Sequence, residues 1–203
     1  MLRLMRLKLM VLIALLGAGC GEATNQCVVN LGTTSDGAER DIHDTNNLDF
    51  AQSFQLDSAA TVSSLGIYVK KGGSESFESG DQLTIAIHAS DGSGNPDTTA
   101  LSVTTTLDYL DLNNLSDSAR YLTVTLSSEV NLSAGTTYWV VVDGSYGATE
   151  DHFVTWVGNS TNTYEDGSAN QRNTTPSWLG EVADDGSKTP AALKDFLFRL
   201  GCQ

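Results

Sequence analysis

The hydrophobic positions of this chain recur every second residue, the pattern of strands that bury one face and expose the other. Leu65, Ile67 and Val69 share one side of such a stretch, with Gly66, Tyr68 and Lys70 on the other. Leu83, Ile85, Ile87 and Ala89 alternate with Thr84, Ala86 and His88, and Leu122, Val124 and Leu126 alternate with Tyr121, Thr123 and Thr125. Tyr138, Val140 and Val142 interleave with Trp139 and Val141, so that strand is apolar on both faces and is expected at the centre of a sheet. Residues 50–56, 98–107, 152–157 and 195–200 read as further strands. Turn-rich segments such as Lys71-Gly72-Gly73, Asp91 to Pro96 and Ser133-Ala134-Gly135 separate them. Helical periodicity is nearly absent. About eight antiparallel strands predict an all-β fold, a jelly-roll-like β-sandwich. Residues 158–192 read as one long polar loop, of the kind that is functional or mobile in a compact domain.

The first twenty residues follow a different pattern. Arg3, Arg6 and Lys8 precede an apolar run from Leu9 to Leu16, then Gly17, Ala18, Gly19 and Cys20. A basic start, a short apolar core and small residues before a cut site make a cleaved export signal. The run is too short to span a bilayer, which takes roughly 20 residues. Leu-Gly-Ala-Gly-Cys resembles the lipobox of bacterial lipoproteins, in which the cysteine becomes the new N-terminus and carries acyl chains. Leu16 stands one place earlier than that pattern usually has it. The alternative is an ordinary secretory signal followed by an unmodified cysteine. The lipobox resemblance implies a leader at 1–19, lipidation at Cys20 and a membrane partner reached through the lipid. Gly21 after the cysteine, by analogy with enterobacterial sorting, favours the outer membrane. Residues 20–46 then form a tether with a possible first strand, and residues 47–203 a single domain.

Charge narrows the partners. The chain has 11 Lys and Arg against 25 Asp and Glu. Three of the basic residues lie in the leader, so the mature part holds 8 against 25, a net charge of −17. That excludes nucleic acid as a natural partner and suits an exported, solvated domain. With Cys20 set aside, Cys27 and Cys202 remain, and export would place them where a pair closes. A disulfide would join the first and last strands and stabilise by about 4–5 kcal/mol on the chain-entropy estimate. Free thiols or metal ligands are the alternative. No CxxC is present, and His43, His88 and His152 have no ligand spacing with either cysteine.

Four pieces of the chain line up with one family. AQSF at 51–54, SSLGIYV at 63–69, LTIAIHASDGSGNPDTTAL at 83–101 and LSSEVNLSAGTTYWVVVDG at 126–144 resemble the secreted bacterial "choice-of-anchor R" domain. The resemblance covers roughly residues 47–200. It implies a surface module that occurs with alternative anchors, here the lipid, and it implies no activity, ligand or site residue.

Candidate chemistry is sparse. There is no G-x-S-x-G, and Gly144-Ser145-Tyr146-Gly147 has the wrong spacing for a serine nucleophile. His88 reads as a surface residue. His152, after Glu150 and Asp151, reads as part of a solvated acidic turn, and Asp41-Ile42-His43-Asp44 as an exposed polar segment. Asp91, Ser93, Asn95 and Asp97 offer oxygen at alternate positions of a Gly-rich loop, a pattern that could hold calcium, although no glutamate closes it. The same residues also make a good hairpin turn. Trp139 and Trp156 fall in strands and read as core. Trp178, in the polar loop with Tyr164 upstream, could stack on a sugar ring or fold down as a lid over the core. No cofactor other than calcium is implied. The sequence therefore points to a non-enzymatic module that binds or displays a glycan or protein ligand outside the cell. An envelope spacer and a hydrolase with an unrecognised site are the alternatives.

Overall fold

The computed structural model describes residues 25–29, 38–42, 49–103, 106–145, 151–161, 164–172, 178 and 194–203. The leader, Cys20 and His43 lie outside the described residues. Among the described residues thirteen strands and one helix follow in order: β1 (Asn25–Val29), β2 (Ala38–Ile42), β3 (Asp49–Phe54), β4 (Ala60–Gly73), β5 (Gln82–Ser90), β6 (Pro96–Val103), β7 (Leu107–Asp108), α1 (Tyr109–Asn113), β8 (Arg120–Leu132), β9 (Tyr138–Ser145), β10 (His152–Asn159), β11 (Ala169–Arg172), β12 (Asp195–Phe196) and β13 (Phe198–Cys202). They make two sheets whose ladders are all antiparallel.

The larger sheet runs β1-β13-β4-β10-β12, with β8 on β4 and β2 on β10. Ile67 of β4 faces Phe198 of β13 and Leu122 of β8 at once, so these two strands flank β4 on opposite sides. The smaller sheet runs β11-β3-β9-β5-β6, with β7 on β5. The doubly apolar strand, β9, is at its centre as its sequence predicts.

Period two explains how the sheets stack. Phe50 and Phe54 of β3, Leu83, Ile85 and Ile87 of β5, and Tyr138, Val140 and Val142 of β9 point inward from the smaller sheet. Leu65, Ile67 and Val69 of β4, Val154 and Trp156 of β10, and Phe196, Phe198 and Leu200 meet them from the larger. Phe54 packs on Phe198 and Phe50 on Phe196, each with ring centroids 5.4 Å apart. Trp156 stacks on Phe196 at 4.2 Å, and its Nε1 donates to the Leu197 carbonyl. Each such fully buried ring contributes about 2–3 kcal/mol.

Three details differ from the sequence reading. There are more strands than about eight, because β2, β7, β11 and β12 are short or polar. The segment 158–192 is not one irregular loop: β10 runs to Asn159, and β11 forms within the segment and pairs with β3. Pro96 opens β6 instead of closing a turn, at a position where its missing N–H costs the ladder little. Strands β1 and β13 do pair. Asn25 faces Cys202 and Gln26 faces Gly201, with the ladder shifting at Cys27.

Candidate functional site

Strands β3, β9, β5 and β11 turn their other set of side chains to the outside of the smaller sheet. Ala51, Trp139 and Val141 form a small apolar strip there, separate from the core, and Trp178 packs against it. Trp139 is buried, 3% exposed, as its strand position predicts, but in this second cluster and not the main one; its Nε1 donates to Ser90 Oγ at 3.0 Å. A backbone bridge from Arg172 to Trp178 brings the second indole to this face. The Arg172 guanidinium lies 5.1 Å from the Trp178 ring centroid, a cation–π contact.

Charged groups rim the strip at one end. Arg172 of β11 faces Asp49 of β3 across the ladder. Its Nε donates to Asp49 Oδ2 at 2.7 Å, and Nη2 donates to the same oxygen. The next pair in the β3–β9 register brings Asp143 to Asp49, and the two carboxyl groups share a hydrogen bond. Burial, reinforced by the Asp143 charge, raises the Asp49 pKa to about 7 against the opposing pull of Arg172. His88 of β5 faces Trp139 of β9. Its Nδ1 lies 2.7 Å from the Asp97 carbonyl oxygen. Burial holds its imidazole below the ordinary histidine range; the Asp97 carbonyl opposes that shift and the Arg172 charge adds to it. Asn170 Nδ2 donates to Asn95 Oδ1 at 3.2 Å, tying β11 to the hairpin between β5 and β6. The face thus combines two indoles, a guanidinium, a carboxyl pair, an imidazole and two amides.

The residues singled out in the sequence divide between this face and others. Trp178, Asn95 and Asp97 come to it. In the 91–97 hairpin, Asp91 Oδ1 accepts from the amides of Ser93 and Asn95, both at 2.8 Å, and the Asp91 amide donates to the Asn95 carbonyl. The carboxylate therefore holds the turn itself. Among the described residues no group of three or more His, Cys, Asp or Glu is placed to share a metal ion. Tyr164 lies elsewhere: it packs on Phe198 of the core and exchanges hydrogen bonds with the Gln55 backbone through its hydroxyl. Trp178 and Tyr164 thus belong to separate clusters.

His152 is a correction. It lies in no solvated turn: its side chain is 0% exposed, and Nε2 is 2.8 Å from Asp81 Oδ2, itself 2% exposed. Phe77 covers it edge-on at 5.2 Å. His88 is likewise half-buried and not a surface residue. The sequence reading missed Asp49, Asp143, Arg172 and Asp81, because each acquires its partner only through strand register or loop packing. Their one available signal was a charge at or near a strand end. No family model matches this chain, and no curated protein matches it.

Proposed function

We propose that this protein is a lipid-anchored extracytoplasmic β-sandwich that binds an extracellular glycan without catalysing a reaction, using the outer face of its smaller sheet. One observation carries the reading: Trp178, packed over the buried cluster of Trp139, and Arg172 assemble beside the Asp49–Asp143 carboxyls on one sheet face. Indole faces stack on the C–H faces of sugar rings, and neighbouring carboxyl, amide and guanidinium groups fix hydroxyl orientation. The non-catalytic reading rests on the sequence, which carries no recognised nucleophile motif, and His152 is sealed against Asp81.

The anchor and the envelope location, with the outer membrane favoured, rest on the leader and the lipobox-like run to Cys20. The module character is supported by the resemblance to the choice-of-anchor R domain. A jelly-roll connectivity is our reading of the two antiparallel sheets. We also propose the Cys27–Cys202 disulfide. It is supported by the β1–β13 pairing, in which Asn25 faces Cys202 and Cys27 lies two residues further on at the register shift.

A second reading, an envelope spacer, is favoured by one fact: Trp178 already covers the apolar strip, as a purely structural lid would. A glycan array with the mature full-length chain decides between them. The binding reading predicts glycan capture that weakens roughly tenfold in Trp178→Ala, the loss of one aromatic anchor. No capture on any glycan supports the spacer. Repeating the melt with and without calcium tests the 91–97 hairpin as a cation site, which would raise the melting temperature by linkage.

A further inference from the structure

The opposite side of the molecule carries its own constellation, independent of the Trp178 face. On the larger sheet the outward positions include Ser64, Gly66, Tyr68 and Lys70 of β4, Tyr121, Thr123 and Thr125 of β8, and Arg199 and Gly201 of β13, with Glu39 and Asp41 of β2 beyond Lys70. Register sets them in rows. Arg199 faces Gly66, which faces Thr123; Tyr68 faces Tyr121; Gly201 faces Ser64, which faces Thr125.

Arg199 lies flat across this surface. Its guanidinium carbon is 4.4 Å from the Tyr121 ring centroid, and Nη2 donates to Thr123 Oγ1. The path exists because residue 66 is glycine: a Cβ there would stand 2.8 Å from Arg199 Cγ and Nε. Gly201 keeps the neighbouring row low in the same way, since a Cβ there would meet Ser64 Oγ at 2.1 Å. Tyr68 and Tyr121 stand beside the guanidinium, half-buried, with ring centroids 5.0 Å apart and planes at 54°.

The unusual feature is the charge. Acids outnumber bases 25 to 11 in this chain, yet among the described residues no carboxylate pairs with Arg199. Arg172 and Lys70, by contrast, hold Asp49 and Glu39. Arg199 is therefore a guanidinium fixed on one side by Tyr121 and Thr123 and left without an internal counter-ion. Such a fork matches a carboxylate in a two-point hydrogen bond, and little rotamer entropy remains to be lost on binding.

We propose that this face binds a glycan bearing carboxylates, a uronate-containing oligosaccharide, with Arg199 on the carboxylate and Tyr68 and Tyr121 against the sugar rings. The hydroxyls of Ser64, Thr123 and Thr125 line the same surface. An acidic peptide is the poorer fit, because peptides take sheet edges or apolar grooves, and this is a low, hydroxyl-lined sheet face. The acidic molecule repels a polyanion only at long range. At 0.15 M salt that field is screened within about 8 Å, so contact at Arg199 is largely spared.

The test is calorimetric titration of the mature full-length chain in 150 mM salt with tetragalacturonate, its methyl ester and a polyglutamate peptide. Tetragalacturonate is expected to bind, and its ester at least tenfold more weakly. Arg199→Lys keeps the charge but not the fork, and Gly66→Ala pushes the flexible Arg199 side chain off Thr123. Each is expected to weaken binding roughly tenfold with an unchanged melting temperature. Trp178→Ala is expected to leave this binding intact, which separates the proposal from the function assigned to the other face. Failure of tetragalacturonate to bind, equal binding of the ester, tighter binding of polyglutamate, or indifference to both Arg199→Lys and Gly66→Ala would each overturn it.

Discussion

At Asp49, burial and the Asp143 charge outweigh the Arg172 guanidinium, and the carboxyl keeps its proton up to about pH 7. The consequence for stability follows from linkage. The folded carboxyl binds a proton more tightly than the unfolded one, whose ordinary value is 3.8. Between those values unfolding releases a proton, so this group favours the folded state at the acid end and loses that contribution as pH rises toward 7. Asp49→Asn removes the titration. Urea unfolding at several pH values between 4.5 and 7.5 should show the variant gaining on the wild type as pH rises; parallel profiles would refute the assignment. The sequence could not disclose this group. Asp49 follows Asn46-Asn47-Leu48 as one acid among many, and only the alignment of β3, β9 and β11 brings Asp143 and Arg172 to it. Trp178 was legible because a tryptophan in a polar stretch is conspicuous, whereas Tyr164, equally conspicuous, is bound to the backbone of Gln55.

Among the elements, the segment between β4 and β5 depends most on a buried polar contact. Gly73 ends β4 at φ +78°, and a Cβ there would stand 2.0 Å from the Asp151 carbonyl oxygen. The amides of Ser74 and Glu75 both donate to that carbonyl. Asp81 then accepts from the Glu78 amide at 2.6 Å and meets His152. Asn113 of α1 exchanges two hydrogen bonds with the Phe77 backbone, closing the segment from above. Asp81→Ala removes a buried acceptor from this cluster and should cost about 1–3 kcal/mol in chemical denaturation. A loss below about 1 kcal/mol, the scale of an exposed pair, would contradict the burial of His152. The long alternating strands β4, β5, β8 and β9 were readable because apolar residues at period two have no other stable use. Strand β11, Ala-Asn-Gln-Arg, and β2, Ala-Glu-Arg-Asp-Ile, were not: their inward positions are few, and neighbouring strands specify them more than their own residues do. The acidic residues before His152 hid its burial, since its partner lies 71 positions earlier in the chain.

At the scale of the whole molecule, two sheets enclose one core and present two chemically different faces. The smaller sheet offers the Trp178 indole, an arginine and the Asp49–Asp143 carboxyl pair. The larger offers tyrosines, hydroxyls and an arginine that pairs with no carboxylate among the described residues. Strand β1 lies at the end of the larger sheet. Non-reducing mass spectrometry of the mature chain should find Cys20 acylated and Cys27 joined to Cys202. Cys20 free of lipid, or itself disulfide-linked, would remove the anchor from the account. Period two made the two-layer fold legible from sequence. The faces were not, because which residues become neighbours across a sheet depends on register.

The central claim is that the outer face of the smaller sheet takes a glycan. Hydrogen-exchange mass spectrometry of the mature chain, with and without the glycan captured on the array, tests it most directly. Slowed exchange in β3, β9 and β11 and around Trp178, lost in Trp178→Ala, is the predicted result. Unchanged exchange in those strands with bound glycan present would contradict it.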